Sequence, residues 1–237
     1  IPHIMQLETK HCGGNSIYDG IGWYRRYFKL PAEYKGKRIV VSFEGVMTNC
    51  DVYLNEEKIT THHGGYMGFV ADLTDRINWD GNNILAVRVS AEYDPLTPPG
   101  KPQDKMDFYY YSGIYRDVSM VITDKVYITD PLQENIIAGG GQFVTFPEVT
   151  KERAKTHLST HIRNLTDEYK DLTILSRLRD TTGHVVAQTE TPVRLLKQSD
   201  ETVEQDLVID SPTLWHPYTP YLYTLQTQLL SGDRVLD

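Results

Sequence analysis

The sequence predicts an all-β protein built as two β-sandwiches in succession, divided near residue 124, with almost no helix. Three observations carry this reading. Apolar and polar residues alternate with a period of two rather than 3.6, the alternating runs are short, and clusters of turn-forming residues separate them at regular intervals.

In the first half, Arg38 to Phe43, Cys50 to Leu54 and Ile84 to Val89 read as strands, with turns at Asn55-Glu56-Glu57-Lys58 and Asp80-Gly81-Asn82-Asn83. The insert from Tyr93 to Asp104 holds four prolines, at 95, 98, 99 and 102. Proline removes a backbone donor and fixes φ, so this stretch is expected to be a surface loop. Loops on a rigid scaffold are where binding sites tend to form, and this one leads straight into Asp107.

A boundary is expected between Thr123 and Pro131, giving domains 1–124 and 125–237. Beyond it, Thr156 to Ile162, Leu172 to Leu178, His184 to Gln188, Val203 to Ile209 and Tyr221 to Leu230 are spaced as strands of a small immunoglobulin-like sandwich, with a turn at Asp180-Thr181-Thr182-Gly183. No cysteine lies in this half, so its core is expected to hold by apolar packing alone.

Composition narrows the function classes. A 237-residue chain with 40% hydrophobic residues can bury proper cores. Its net charge of −8 argues against nucleic acid or an anionic membrane surface, partners that need clustered Lys and Arg. No apolar run approaches the roughly 20 residues that span a bilayer, and Ile1-Pro2-His3-Ile4 lacks the features of a signal peptide. Removal of a signal would leave the same start, so a periplasmic or cell-envelope location and a cytoplasmic one both stay open. Cys50 alternates with Val52 and Leu54 on an inward face and reads as a free thiol rather than the partner of Cys12. His62 and His63 are adjacent and face opposite sides of an extended segment, so no metal site is expected, nor any cofactor.

The stretch from Asp107 to Val118 sets one carboxylate beside five aromatic rings, Phe108, Tyr109, Tyr110, Tyr111 and Tyr115, broken by Gly113. Flat apolar rings pack against the C–H faces of a pyranose while a carboxylate accepts from two neighbouring hydroxyls, so the mixture suits a carbohydrate site. Aromatic runs in strands also serve core and cross-strand packing. Of Tyr109 and Tyr110, only one can face such a site, since successive strand residues point to opposite sides.

Taken in order, GIGWYRRYF from Gly20, RIVVSFEGVMTNCDVYLN from Arg38, HHGGYMGFVADLT from His62, GNNILAVRV from Gly81, SGIYRDV from Ser112 and LWHPYTPYLYTL from Leu214 resemble glycoside hydrolase family 2, the family of β-galactosidases, β-glucuronidases and β-mannosidases. The resemblance spans nearly the whole chain. It implies a galactose-binding-like jelly-roll sandwich at 1–124 and an immunoglobulin-like sandwich at 125–237. It further implies that a (β/α)8 barrel carrying two catalytic glutamates lies outside this sequence, since such a barrel takes about 250 residues by itself. The end at Gly232-Asp233-Arg234-Val235-Leu236-Asp237 is expected to leave the second sandwich without its last strand.

By the same resemblance, Asp107 matches the aspartate, five positions before the Ser-Gly-Ile motif, that reaches from the jelly roll to hydroxyls of the bound sugar. Asp19 matches by position a second polar residue, usually Asn; the pair Asp19-Gly20 also reads as a turn, and that is the preferred reading. Tyr109 is a candidate for the pocket wall. Arg116 and Asp117 read as an ion pair within a strand, and Trp215 as a packing residue.

The activity implied is retaining hydrolysis, with two carboxyl groups about 5 to 5.5 Å apart supplied by the barrel, so that this chain alone hydrolyses no glycoside. A β-galactosidase is the expected label, with β-glucuronidase or β-mannosidase as alternatives within the family. The partners implied are a carbohydrate substrate and the barrel of the same polypeptide, with the full-length protein open to homo-oligomer formation. Outside the enzyme class, the same residues fit a free-standing carbohydrate-binding module or, less well, a structural adhesion pair.

Overall fold

The computed structural model of the protein describes residues 2–5, 18–102, 105–108 and 110–237. Strand makes up 52% of the described residues and helix 5%, in antiparallel sheets that form a jelly-roll sandwich and an immunoglobulin-like sandwich. The chain divides into two compact units, Ile1–Ile122 and Thr123–Asp237.

The first unit contains β1 (Ile21–Phe28), β2 (Arg38–Phe43), β3 (Asn49–Leu54), β4 (Glu57–His63), β5 (Phe69–Asp72), β6 (Asn83–Ser90) and β7 (Val118–Thr123), which runs one residue past the division. They form one sheet in the order β1-β6-β3-β4 and a second in the order β5-β2-β7. The period of two in β3 decides its facing: Cys50, Val52 and Leu54 are buried, and Asn49, Asp51 and Tyr53 are partly exposed. Their inward side chains meet Ile39, Val41 and Phe43 of β2 and Val87 and Val89 of β6 in one core. Burying each such side chain contributes about 1.5–3 kcal/mol. The β3–β4 hairpin turns at Asn55 and Glu56, both at positive φ (48° and 73°), which is the backbone of a tight two-residue turn.

Asn83 braces that turn from below. It is fully buried, its Oδ1 accepts from the Asn78 amide (2.8 Å) and from Asn55 Nδ2 (2.9 Å), and its Nδ2 donates to the Asn78 carbonyl (2.9 Å). From Tyr93 to Pro102 the proline-rich insert is a loop, as its composition requires, and is tied down by Asp94. That carboxylate accepts from Thr97 Oγ1 (2.6 Å), the Leu96 amide (2.9 Å) and Asn49 Nδ2 (3.1 Å).

The second unit contains β8 (Val126–Ile128), the one-turn helix α1 (Pro131–Glu134), β9 (Gln142–Val149), β10 (Arg153–Asn164), β11 (Lys170–Arg179), β12 (Val185–Leu195), β13 (Ser199–Asp210), β14 (Thr224–Ser231) and β15 (Arg234–Val235). One sheet runs β13-β10-β8 with β9 also paired to β10, and the other runs β12-β11-β14-β15. Ile162, Leu172, Ile174, Leu195, Val203 and Leu229 fill the space between them. Apolar packing is not the whole of this core. Gln205 on β13 reaches across the sandwich, accepting from Ser176 Oγ (2.7 Å) and donating to the Ile174 carbonyl (3.0 Å) and Thr191 Oγ1 (3.0 Å). The last long strand begins at Thr224 rather than Tyr221, because Pro220 and the bond from the Tyr221 amide to the Thr219 carbonyl (2.8 Å) keep the preceding residues in a turn.

Candidate functional site

After the proline-rich loop, the chain at Ser112 to Ile114 is held by backbone pairing on two sides. Met47 and Gly113 exchange both amide bonds (3.0 and 2.9 Å), while the amides of His3 and Met5 donate to the carbonyls of Ile114 (2.7 Å) and Ser112 (2.8 Å). The Ser-Gly-Ile motif needs glycine for a physical reason. Gly113 has φ +131°, and a Cβ there would sit 2.6 Å from the His3 carbonyl oxygen and 2.7 Å from Tyr24 Oη. Tyr24 Oη in turn bonds His3 Nδ1 (2.9 Å), and burial raises its pKa above the ordinary tyrosine value.

Against this frame stands a cavity of about 480 Å³ lined by Ile4, Met47, Tyr66, Phe108, Tyr110, Tyr111, Tyr115 and Arg116. Tyr66, Phe108 and Tyr111 are exposed, and Tyr110 is buried. Tyr115 anchors the wall by donating to the Gly65 carbonyl (2.6 Å). Its neighbour Arg116 stacks its guanidinium 5.5 Å from the Tyr115 ring centroid. Arg116 and Asp117 precede β7 and form no ion pair with each other among the described residues, so the expected strand ion pair is replaced by a cation–π contact.

Asp107 is exposed, one residue before the lining Phe108, and among the described residues no side chain or amide bonds its carboxylate. Asp19 is exposed just before β1. Among the described residues its carboxylate accepts no bond from the following amides, as an aspartate closing a turn would. Its charge is instead felt at Tyr110: burial pushes that hydroxyl's pKa up, and Tyr66, Asp19 and Tyr93 push the same way. Tyr109 lies outside the described residues.

Sequence reasoning did not single out Met47 or Tyr66 for this wall. The signal available was the Gly64-Gly65 pair ahead of Tyr66-Met67: Gly65 leaves room for Met47, whose Sδ would stand 2.1 Å from a Cβ there. Trp215, expected to pack, is 58% exposed and lines an apolar cleft of the second unit with Phe146, Val149, Pro212 and Leu222. His62 stacks on Phe69 at 4.3 Å while His63 is exposed, and Cys50 is a buried free thiol; Cys12 lies outside the described residues. Among the described residues no helix is long and apolar enough to cross a membrane.

The family model described as the sugar binding domain of glycosyl hydrolases family 2 matches residues 13–124, and the model described as glycosyl hydrolases family 2 matches residues 142–237. The chain belongs to glycosyl hydrolase family 2. Among family relatives, the β-galactosidase BoGH2A of Bacteroides ovatus is 31% identical over the whole of this chain and 27% of its own length. A β-glucuronidase of Bacteroides fragilis is 32% identical over the whole chain and 33% of its own length. A solved β-glucuronidase of Bacteroides uniformis superposes with a TM-score of 0.82 at 26% identity, over 93% of this chain and 26% of that one. The chain thus spans about a quarter to a third of the length of these family 2 relatives, whose names divide between two glycosides.

Proposed function

We propose that the chain is the N-terminal, non-catalytic part of a retaining family 2 glycosidase, a β-galactosidase, in which Asp107 holds hydroxyls of the bound sugar. One observation carries the reading. An exposed carboxylate without a partner among the described residues sits next to a wall of tyrosines and a phenylalanine, the pairing of oriented acceptor and flat ring that a pyranose requires. Asp19, whose charge is felt at Tyr110, supplies a second acceptor, and of the Tyr109-Tyr110 pair it is Tyr110 that lines the wall.

In this reading the residues at 1–124 shape one side of the sugar pocket and those at 125–237 support the part that carries the chemistry. The glutamate nucleophile and the acid/base, about 5 to 5.5 Å apart, belong to a barrel outside this sequence. Contacts to non-reacting hydroxyls then orient the sugar for attack at the anomeric carbon. A β-glucuronidase is the second reading. It is favoured by Arg116, a guanidinium in the same wall that would suit a uronate carboxylate, and by the relatives that bear that name.

The complete polypeptide tests both readings. Asp107→Ala should lower kcat/KM on a chromogenic β-galactoside by at least about tenfold, since a charge-assisted hydrogen bond contributes roughly 1.5–3 kcal/mol, and should leave the melting temperature unchanged. Unchanged kinetics with a lowered melting temperature would make Asp107 structural. Turnover of β-glucuronide in preference to β-galactoside would transfer the assignment to the second reading.

A further inference from the structure

The outward face of the β1-β6-β3-β4 sheet carries aromatic side chains where a sandwich normally presents polar ones to water. Alternation along β1 sends Tyr24 and Phe28 into the core and leaves Trp23 (46% exposed), Arg25 and Tyr27 (61% exposed) outside. Register sets what lies beside them. Arg25 is opposite Ala86 and Tyr27 is opposite Ile84, and Ala86 is opposite Tyr53 on the far side of β6. The small Ala86 therefore forms a floor between taller neighbours. The result is a trough of about 370 Å³, at the lower end of the range of about 300–1,000 Å³ typical of ligand sites. Trp23 and Tyr53 lean towards each other across it at 5.7 Å and 38°, a splayed pair rather than a closed stack.

Two charged groups line the trough. The Arg25 guanidinium lies 5.2 Å from the Trp23 ring centroid, and Glu56 is set at the rim by the β3–β4 turn. Neither has an ion-pair partner among the described residues. On the same sheet, by contrast, Asp51 is paired with Lys58 at 2.7 Å and with Arg88 at 3.6 Å. One guanidinium and one carboxylate cancel, so the trough offers a donor fork, an acceptor fork and aromatic faces with no net charge.

We infer that this trough binds a neutral oligosaccharide, with pyranose rings packed against Trp23 and Tyr53 and hydroxyl pairs taken by Arg25 as donor and Glu56 as acceptor. An anionic ligand would meet Glu56 unpaired, and a purely apolar one would strand both charges. The assignment goes beyond the pocket wall around Tyr66 and Tyr110, with which the trough shares no lining residue, and it needs no group outside this chain.

Affinity electrophoresis of the 237-residue chain through gels containing soluble β-1,4-galactan, xyloglucan or mixed-linkage β-glucan tests it. Migration should be retarded by at least one of the three. Trp23→Ala and Tyr53→Ala should each weaken that retardation about five- to tenfold. Trp23→Phe, which keeps a ring, should retain most of it, and Trp215→Ala, an exposed tryptophan in the other unit, should leave it unchanged. Circular dichroism of each variant establishes that it is folded. The inference is overturned by migration unaffected in all three gels, by undiminished retardation of both alanine variants, or by retardation confined to polygalacturonate or heparin.

Discussion

Met47 and Gly113 are joined by two reciprocal backbone hydrogen bonds, Met47 N to Gly113 O at 3.0 Å and Gly113 N to Met47 O at 2.9 Å, in an isolated bridge outside the regular strands. This clasp fixes the chain between Asp107 and the start of β7. Gly113→Ala would place a methyl group against the His3 carbonyl and Tyr24 Oη at a φ that alanine rarely adopts. We expect a loss of about 1–3 kcal/mol in the unfolding of the first unit, read from the denaturant midpoint. A midpoint equal to that of the parent chain would mean that the clasp does not set local stability.

Asn83 offers a test of the turn that presents Glu56. Replacement by Ala removes the acceptor for the Asn78 amide and for Asn55 Nδ2 and the donor to the Asn78 carbonyl. A destabilisation of about 1–3 kcal/mol is expected, the loss of three part-buried hydrogen bonds. Equilibrium unfolding in urea measures it, and a change within about 0.5 kcal/mol, the scale of ordinary surface substitutions, would refute the bracing role.

Cys50 should be chemically silent in the native state. Burial, with a further push from the Asp51 carboxylate, raises its thiol to about 12, so almost no thiolate exists at neutral pH. In a Cys12→Ser variant, reaction with an aromatic disulfide reagent at pH 8 should be negligible until denaturant is added, and then release one equivalent of thiolate. Prompt stoichiometric reaction of the folded protein would contradict this.

Asp51 supplies an acid-sensitive contribution. Burial alone would raise its pKa, but the hydrogen bonds from Lys58 and Thr61 and the charges of Lys58 and Arg88 outweigh that and hold it below the usual carboxylate range. A carboxylate depressed in the folded state stabilises the protein above its unfolded value of about 3.9 and loses that contribution as pH falls through the folded value. The stability difference between the parent and Asp51→Asn should therefore be present at pH 7 and shrink towards pH 2–3. A difference independent of pH would remove Asp51 from the acid limb.

The strand at Arg38 to Phe43 and the turn at Asn55 were legible because a short β-branched run and turn chemistry are local properties. β9 was not, because its sequence QFVTFPEV carries Pro147, which reads against a strand; the structure admits it at an edge, paired to β10 alone. Three-residue β8 is too short to show any period. Of the site, Asp107 and the aromatic stretch could be picked out by composition. Nothing in the pair Asp19-Gly20 reports the charge that Asp19 exerts on Tyr110, a side chain far along the chain.

The sequence by itself determined the all-β class, the inward face of β3, the looped proline-rich insert and the family motifs, since each depends on residues within a few positions of one another. Only the tertiary structure decided that Tyr66 and Met47 join Tyr110 in one wall, that Arg116 turns to Tyr115 rather than Asp117, and that Trp23, Arg25, Tyr53 and Glu56 converge over Ala86. Those relationships depend on strand register and on which edges pair. Register is fixed by how all the inward side chains fill a common core at once, a collective constraint that no single segment carries.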